Sequence, residues 1–226
     1  MSLVWSREPY SPRRQAMSLE RVARAAVAVA DAEGLDALSM RRVAAELGSG
    51  TTSLYRHIRN RDELLDLMVD VVRDEVPALS LSGDWRADLA AHAHAQRALM
   101  LRHPWLGTLL MIRPALGPNS LRQMNEALAA AAQLTPDATR VAGVIGLIGD
   151  YVLGAVSREL AELEAHRRTG QSEQEWRASV GPYISEVIAS GDYPHFARRV
   201  MEARDLTFTE QFAYGLERIL DGIGGG

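Results

Sequence analysis

From Ser18 to Ile223 apolar residues return every three or four positions, and no segment alternates strictly between apolar and polar side chains. A chain with that period buries its apolar surface by packing helices on helices. β-Branched clusters are scarce too, so the predicted fold class is all-α. Start and stop signals divide the pattern. Ser18, with Glu20 in the following turn, opens a helix that Gly34 closes. Ser39 caps a short helix over 40–47, ended by Gly48, and another short one covers 51–57. Asn60 and Glu63 stand at N-cap and N3 spacing, the start of a fourth helix that reaches Val76 before Pro77. After a loop over 80–83, helices are predicted over 85–102, 105–111 and 119–133. Thr135 followed by Pro136 reads as N-cap and first residue of a long helix to about Arg168. The stretch 169–190 is polar at its start and gives no firm assignment, whereas 193–203 and 207–223 read as two final helices. The glycines of 224–226 are expected to fray.

The chain has 226 residues, 47% of them hydrophobic, enough for a substantial core in one large or two modest domains. It contains no cysteine, which excludes a disulfide scaffold, a thiol nucleophile and a cysteine zinc site, and fits a cytoplasmic setting. No apolar run approaches the roughly 20 residues that span a bilayer, so no membrane partner is expected. The formal charge of −4 is unevenly divided. Residues 1–61 hold 10 Arg and 6 acidic residues; residues 62–226 hold 15 Arg and 23 acidic ones. One end suits phosphate and the other repels it. The residues before Ser18 read as a flexible basic arm, with Arg7, Arg13 and Arg14 around Pro9 and Pro12.

The informative stretch runs from Ser39 to Arg61, two short helices flanking Gly48-Ser49-Gly50. Val43, Ala44 and Leu47 form one apolar face, and Leu54 and Ile58 answer it at i, i+4 spacing. Small Ala44 permits a close crossing, and Gly48 tolerates the positive φ of such a turn. This is the layout of a helix-turn-helix, whose second helix enters the DNA major groove. That helix is short and polar: Thr51, Thr52, Ser53, Tyr55, Arg56 and His57 occupy its outer face. Hydroxyls there meet phosphates or base edges, and Arg41, Arg56, Arg59 and Arg61 can neutralise the backbone.

Residues 18–76 also resemble the DNA-binding domain of the TetR-type transcriptional regulators. The resemblance lies in Ala32-Glu33-Gly34, in Ser39-Met-Arg-Arg-Val-Ala-Ala-Glu-Leu-Gly48, in Leu54-Tyr-Arg-His-Ile58 and in Asn60-Arg-Asp-Glu-Leu-Leu65. More loosely, Leu101-Arg-His-Pro-Trp-Leu106, the stretch from Arg113 to Asn119 and Tyr151-Val-Leu-Gly154 are similar to the tetracycline-repressor-like sensor domain. The resemblance implies a helix-turn-helix DNA-binding domain over 18–64 and a ligand-sensing and dimerisation domain over 65–223. It places Ser39 and Arg41 at phosphate and base contacts, Thr51, Thr52 and Ser53 in the leading turn of the recognition helix, Tyr55 and His57 on the DNA backbone, and Arg61 at a phosphate. For Arg56 a guanine edge and a phosphate both stay open. It further implies a homodimer, through the helices starting near Thr135 and Thr207, on a double-stranded operator with inverted repeats.

The same resemblance implies a small-molecule effector of unknown identity, bound among the C-terminal helices, with no cofactor and no metal. The residues that hold tetracycline are not reproduced. Candidate ligand contacts are His92, Gln96, Met100, Arg113, Met124 and Tyr151, although Met100 and Met124 read first as core filler. His92 and Gln96 share a helix face. Gly143, Gly146 and Gly149 recur in the long helix at about 1 kcal/mol each relative to Ala, for close helix approach, a bend or a ligand-side gap. An enzyme is disfavoured: His92 and His94 point apart on a helix, and no metalloprotease, phosphate-loop or nucleophile-elbow motif occurs. The expected function is a DNA-binding repressor released by an inducer. An activator of the same fold, or a helical adaptor protein, is the alternative.

Overall fold

The computed structural model describes residues 18–112 and 115–225; the predicted arm over 1–17 and the candidate ligand contact Arg113 lie outside them. Among the described residues there are eleven helices and no strand. They are α1 (Leu19–Glu33), α2 (Met40–Glu46), α3 (Thr51–Tyr55), α4 (Arg61–Arg73), α5 (Trp85–Arg102), α6 (Leu106–Leu110), α7 (Pro118–Ala132), α8 (Ala138–Thr169), α9 (Glu173–Ser190), α10 (Pro194–Glu202) and α11 (Phe208–Gly224). The contacts group residues up to Leu153 into one compact unit and those from Gly154 on into a second, so α8 belongs to both.

In the first unit, α1 lays Val22, Ala26, Val29 and Ala30 against α4, whose Leu64, Leu67, Met68 and Val72 are buried in turn. The N-caps are the predicted ones: Ser18 Oγ accepts from Arg21 N, Ser39 Oγ from Arg42 N, and Asn60 Oδ1 from Glu63 N. The box at α4 differs in one respect. Glu63 accepts from the backbone N–H of Arg59 at 2.6 Å, one residue before the cap, which pins the chain entering α4. Gly34 and Gly48 both carry positive φ, +83° and +61°, where a Cβ would be strained.

Helix α8 starts two residues later than Thr135-Pro136 suggests. The carboxylate of Asp137 accepts from the N–H groups of Thr139 and Arg140, so this residue caps the helix. A charged acceptor beside a helix N-terminus outcompetes a neutral hydroxyl. Helix α8 is also, by length and composition, apolar enough to cross a membrane, its best window averaging a hydropathy of 1.4 although Asp150 lies near its middle. The helix is thus longer and more apolar than the expectation of no membrane-length apolar run allows.

In the second unit the unassigned stretch is helical. Ser172 and Glu175 form a reciprocal capping box at the head of α9, and Pro182 sits inside the helix. Gly181-Pro182 interrupts the sequence pattern there, since proline removes one helical N–H. Thr207 and Glu210 make the same box for α11, whose buried stripe is Phe212, Leu216, Leu220 and Ile223. Helix α11 extends to Gly224, one residue beyond the expected end.

Candidate nucleic-acid interface and sensor cavity

The turn between α2 and α3 is built as its composition requires. Val43 and Leu54 are fully buried, Ala44 nearly so, and Ile58 locks the chain after α3 into the same core. That anchoring leaves the other side of α3 outward. Thr52 and Arg56 are exposed, Thr51, Ser53 and His57 are half-exposed, and Tyr55 keeps 57% of its surface in solvent.

Two adjacent arginines on α2 have separate tasks. Arg42 is tied down by Glu33 of α1, at 2.6 Å, and by Glu46 one turn on, at 2.9 Å. It joins α1 to α2, and those carboxylates, Glu33 foremost, hold its pKa above the ordinary value. Arg41 is exposed and has no ion pair among the described residues, nor do Arg56 and Arg59. Arg61 donates to the carbonyl of Leu35 at 3.0 Å, which orients its guanidinium along the same surface. Ser39, Arg41, Tyr55 and Arg61 border one hollow of about 470 Å³, formed by the starts of α2 and α4 and the end of α3. Four of the ten predicted DNA contacts therefore meet at one place. Thr51, Thr52, Ser53, Arg56, His57 and Arg59 lie outside that hollow, on α3 and the segment after it.

A second hollow lies within the first unit, a cavity of about 690 Å³ among α4, α5, α7 and α8 and the segment around Ile112. Most of its wall is apolar, from Met100, Leu110, Ile112, Leu128, Ile145 and Leu153 among others. Of the predicted ligand contacts, His92, Gln96, Met100 and Met124 line it. Met124 is 49% exposed, so it is not core filler. Tyr151 does not line the cavity, although its neighbours Asp150 and Val152 do. Gly146 and Gly149 also belong to the wall and Gly143 does not, which places two of the three glycines on the cavity side.

Sequence reading missed the polar centre of this cavity. Arg73, in the last turn of α4, donates through Nη1 to Oε1 of Gln96 and to Oε1 of Gln123, the latter at 2.8 Å. Gln123 returns a bond from Nε2 to the Arg73 carbonyl and accepts another from Gln96 Nε2. The buried Nε of Arg73 and the buried Oγ of Ser120 have no hydrogen-bond partner among the described residues. Burial pulls the Arg73 pKa down to about 10, still charged at neutral pH. Burial, helped by that neighbouring positive charge, lowers His92 to about 4, so it stays neutral. No motif marks Arg73, because a basic residue in the last turn of a helix is an ordinary dipole partner. Only the fold brings Gln96 and Gln123 to it.

Two polar joints connect these regions. Each ring nitrogen of buried His103 stands against a carboxylate, Nδ1 at 2.9 Å from Asp31 of α1 and Nε2 at 3.2 Å from Glu75. Trp105 Nε1 donates to the same Asp31 at 2.6 Å, and Arg102 to Glu75 at 2.7 Å. The second joint is Asp70 of α4. It accepts from Ser120 N at 3.0 Å and Asn119 Nδ2 at 3.2 Å, capping the head of α7, whose own N-cap is Gly117. A Cβ on Gly117 would collide with the Asp70 carboxylate, so glycine is required by close approach. Among the described residues no cluster of His, Cys, Asp or Glu could hold a metal.

Comparison with known proteins accounts for nearly the whole chain. Residues 22–68 match the model described as bacterial regulatory proteins, tetR family, and residues 77–225 match the tetracyclin repressor-like C-terminal domain. The HTH-type transcriptional repressor DrrR1 of Streptomyces coeruleorubidus is 44% identical over 99% of this chain and 84% of its own length. Among solved structures, apo ActR from Streptomyces coelicolor is 28% identical, with a TM-score of 0.76 over 95% of this chain and 98% of that one. The same protein in complex with actinorhodin matches with a TM-score of 0.75, covering 92% and 96%.

Proposed function

Since the chain belongs to the tetR family of bacterial regulatory proteins, a family of DNA-binding transcriptional regulators, we propose that it is a cytoplasmic repressor that leaves a palindromic operator when a small molecule fills its cavity. The reader is residues 18–64 and the sensor residues 65–223. Thr51, Thr52 and Ser53 enter the major groove, while Ser39, Arg41, Tyr55, His57, Arg59 and Arg61 grip the backbone on either side. One contrast carries this assignment. Arg42 is neutralised by two carboxylates, whereas Arg41 and Arg56 stand exposed without an ion pair among the described residues. Uncommitted arginines beside a hydroxyl-lined helix suit phosphate and base contacts.

Two copies are needed to read an inverted repeat, and α8 and α11 supply the dimer interface. The most apolar stretch of α8 is only 28% buried within one chain, which leaves surface for a second copy to cover. The complexes of ActR with actinorhodin and with (S)-DNPA support reading the cavity as a ligand site. For an inducer to work it must bind the released state more tightly than the DNA-bound one. Helix α4 carries both the reader-side Arg61 and the cavity-side Arg73, so a ligand that moves one end moves the other.

Genomic fragments selected by the purified protein provide the operator for the test. Arg41→Ala is expected to weaken binding about tenfold on every sequence and to lower the slope of log affinity against log salt by about one. Arg56→Ala distinguishes its two readings. Loss of discrimination at one base pair, about 1–3 kcal/mol, marks a guanine contact, and a uniform loss marks a phosphate. Failure of the ligand-free protein to bind any duplex at low salt overturns the proposal.

A further inference from the structure

We propose that the cavity takes an apolar molecule carrying one anionic oxygen group, a carboxylate, sulfonate or ionised phenol, seated against Arg73. This rests on the sensor reading above and narrows its ligand class. Burying a guanidinium is costly unless its charge and all its N–H groups are matched. Here the charge is offset only at a distance, by Asp70, and among the described residues no carboxylate forms an ion pair with it. Gln96 and Gln123 offer neutral oxygens to Nη1 alone. Asp70, one turn back on α4, gives its hydrogen bonds to the neutral donors at the head of α7 and none to the guanidinium. Among the described residues the Arg73 Nε is left without an acceptor, and Ser120 Oγ, in the same lining, is left unbonded as well.

A neutral ligand oxygen would satisfy the orphan N–H and leave the charge without an ion-pair partner. An anionic oxygen does both, and the planar guanidinium suits a two-oxygen group. The other polar groups agree. His92 is neutral and adds no competing cation to the wall. Asp150 is the single carboxylate among the described lining residues, and it stands exposed on α8. The remaining wall is predominantly aliphatic and thioether, so the body of the ligand is apolar.

The test uses two dyes that differ by one charged group. 8-Anilino-1-naphthalenesulfonate is N-phenyl-1-naphthylamine with a sulfonate added, and both gain fluorescence in apolar sites. Titrations of the full-length protein are expected to show that Arg73→Gln weakens the sulfonate dye at least tenfold and leaves the neutral dye within twofold. Ser120→Ala is expected to weaken the sulfonate dye severalfold, with circular dichroism and melting temperature unchanged; it decides the matter if Arg73→Gln fails to fold. If neither variant alters the ratio of the two affinities, the charge assignment is overturned while the cavity stands. If neither dye binds the parent protein, the sensor reading falls and this one with it.

Discussion

Acidifying the ligand-free protein from pH 7 to pH 5 is expected to lower its stability by about 2 kcal/mol, and His92→Gln to remove most of that loss. The cause is the depressed pKa of His92, lowered to about 4 first by burial and then by the charge of Arg73. Between the ordinary value of 6.5 and about 4, the unfolded chain takes up a proton that the folded chain refuses. Stability therefore falls as pH drops through that window and levels off below it. Glu75 and Asp88 act lower. Burial of Glu75 is outweighed by Arg102 and His103, and Asp88 is held down by Gln133 and Ser82, so both carboxyls stay below their usual range. Their contribution is present above about pH 4.5 and is lost on further acidification. Stopping at pH 5 isolates the histidine. Urea unfolding at fixed protein concentration measures the difference, and an equal loss in His92→Gln would refute the attribution.

Removing the Asp70 carboxylate has the other large effect. Asp70→Ala strips the cap from α7, leaving the buried Ser120 N–H and the Asn119 amide without that partner, at an expected cost of about 2–4 kcal/mol. Gly117→Ala drives a Cβ into the same carboxylate and is expected to be similarly costly. The pair is informative together. With the carboxylate gone the added methyl has room, so the double variant should lose well under the sum of the two single losses. Additive losses would mean that Gly117 is needed for a reason other than its contact with Asp70. Because this joint ties α4 to α7, Asp70→Asn, which keeps an acceptor, is expected to fold and to need more ligand to release DNA.

Much of the reader was legible in the sequence because its determinants are local. Ser18, Ser39 and Asn60 cap helices whose apolar spacing follows within a few residues, and Gly48 takes the φ its turn demands. The cavity was legible only in part. His92 and Gln96 share one helix face and both reach it. Arg73, Ser120 and Gln123 come from two other helices, and nothing in their neighbourhoods along the chain records that meeting. Tyr151 failed as a lining residue because helical rotation carries it off the wall that Asp150 and Val152 border. The capping contest at α8 was lost by Thr135 to a charged group two residues on, a choice that depends on side-chain reach. Helix α9 was hidden by Pro182.

Gly146 and Gly149 leave the chamber with an unfinished side. Among the described residues a methyl group at either position would meet nothing within 4 Å, and alanine would suit the helix better by about 1 kcal/mol. Each vacancy is thus a dial on chamber size that can be turned by one codon without disturbing the reading head some helices away. A lineage of such proteins can retune which molecule it answers to while keeping the same DNA address.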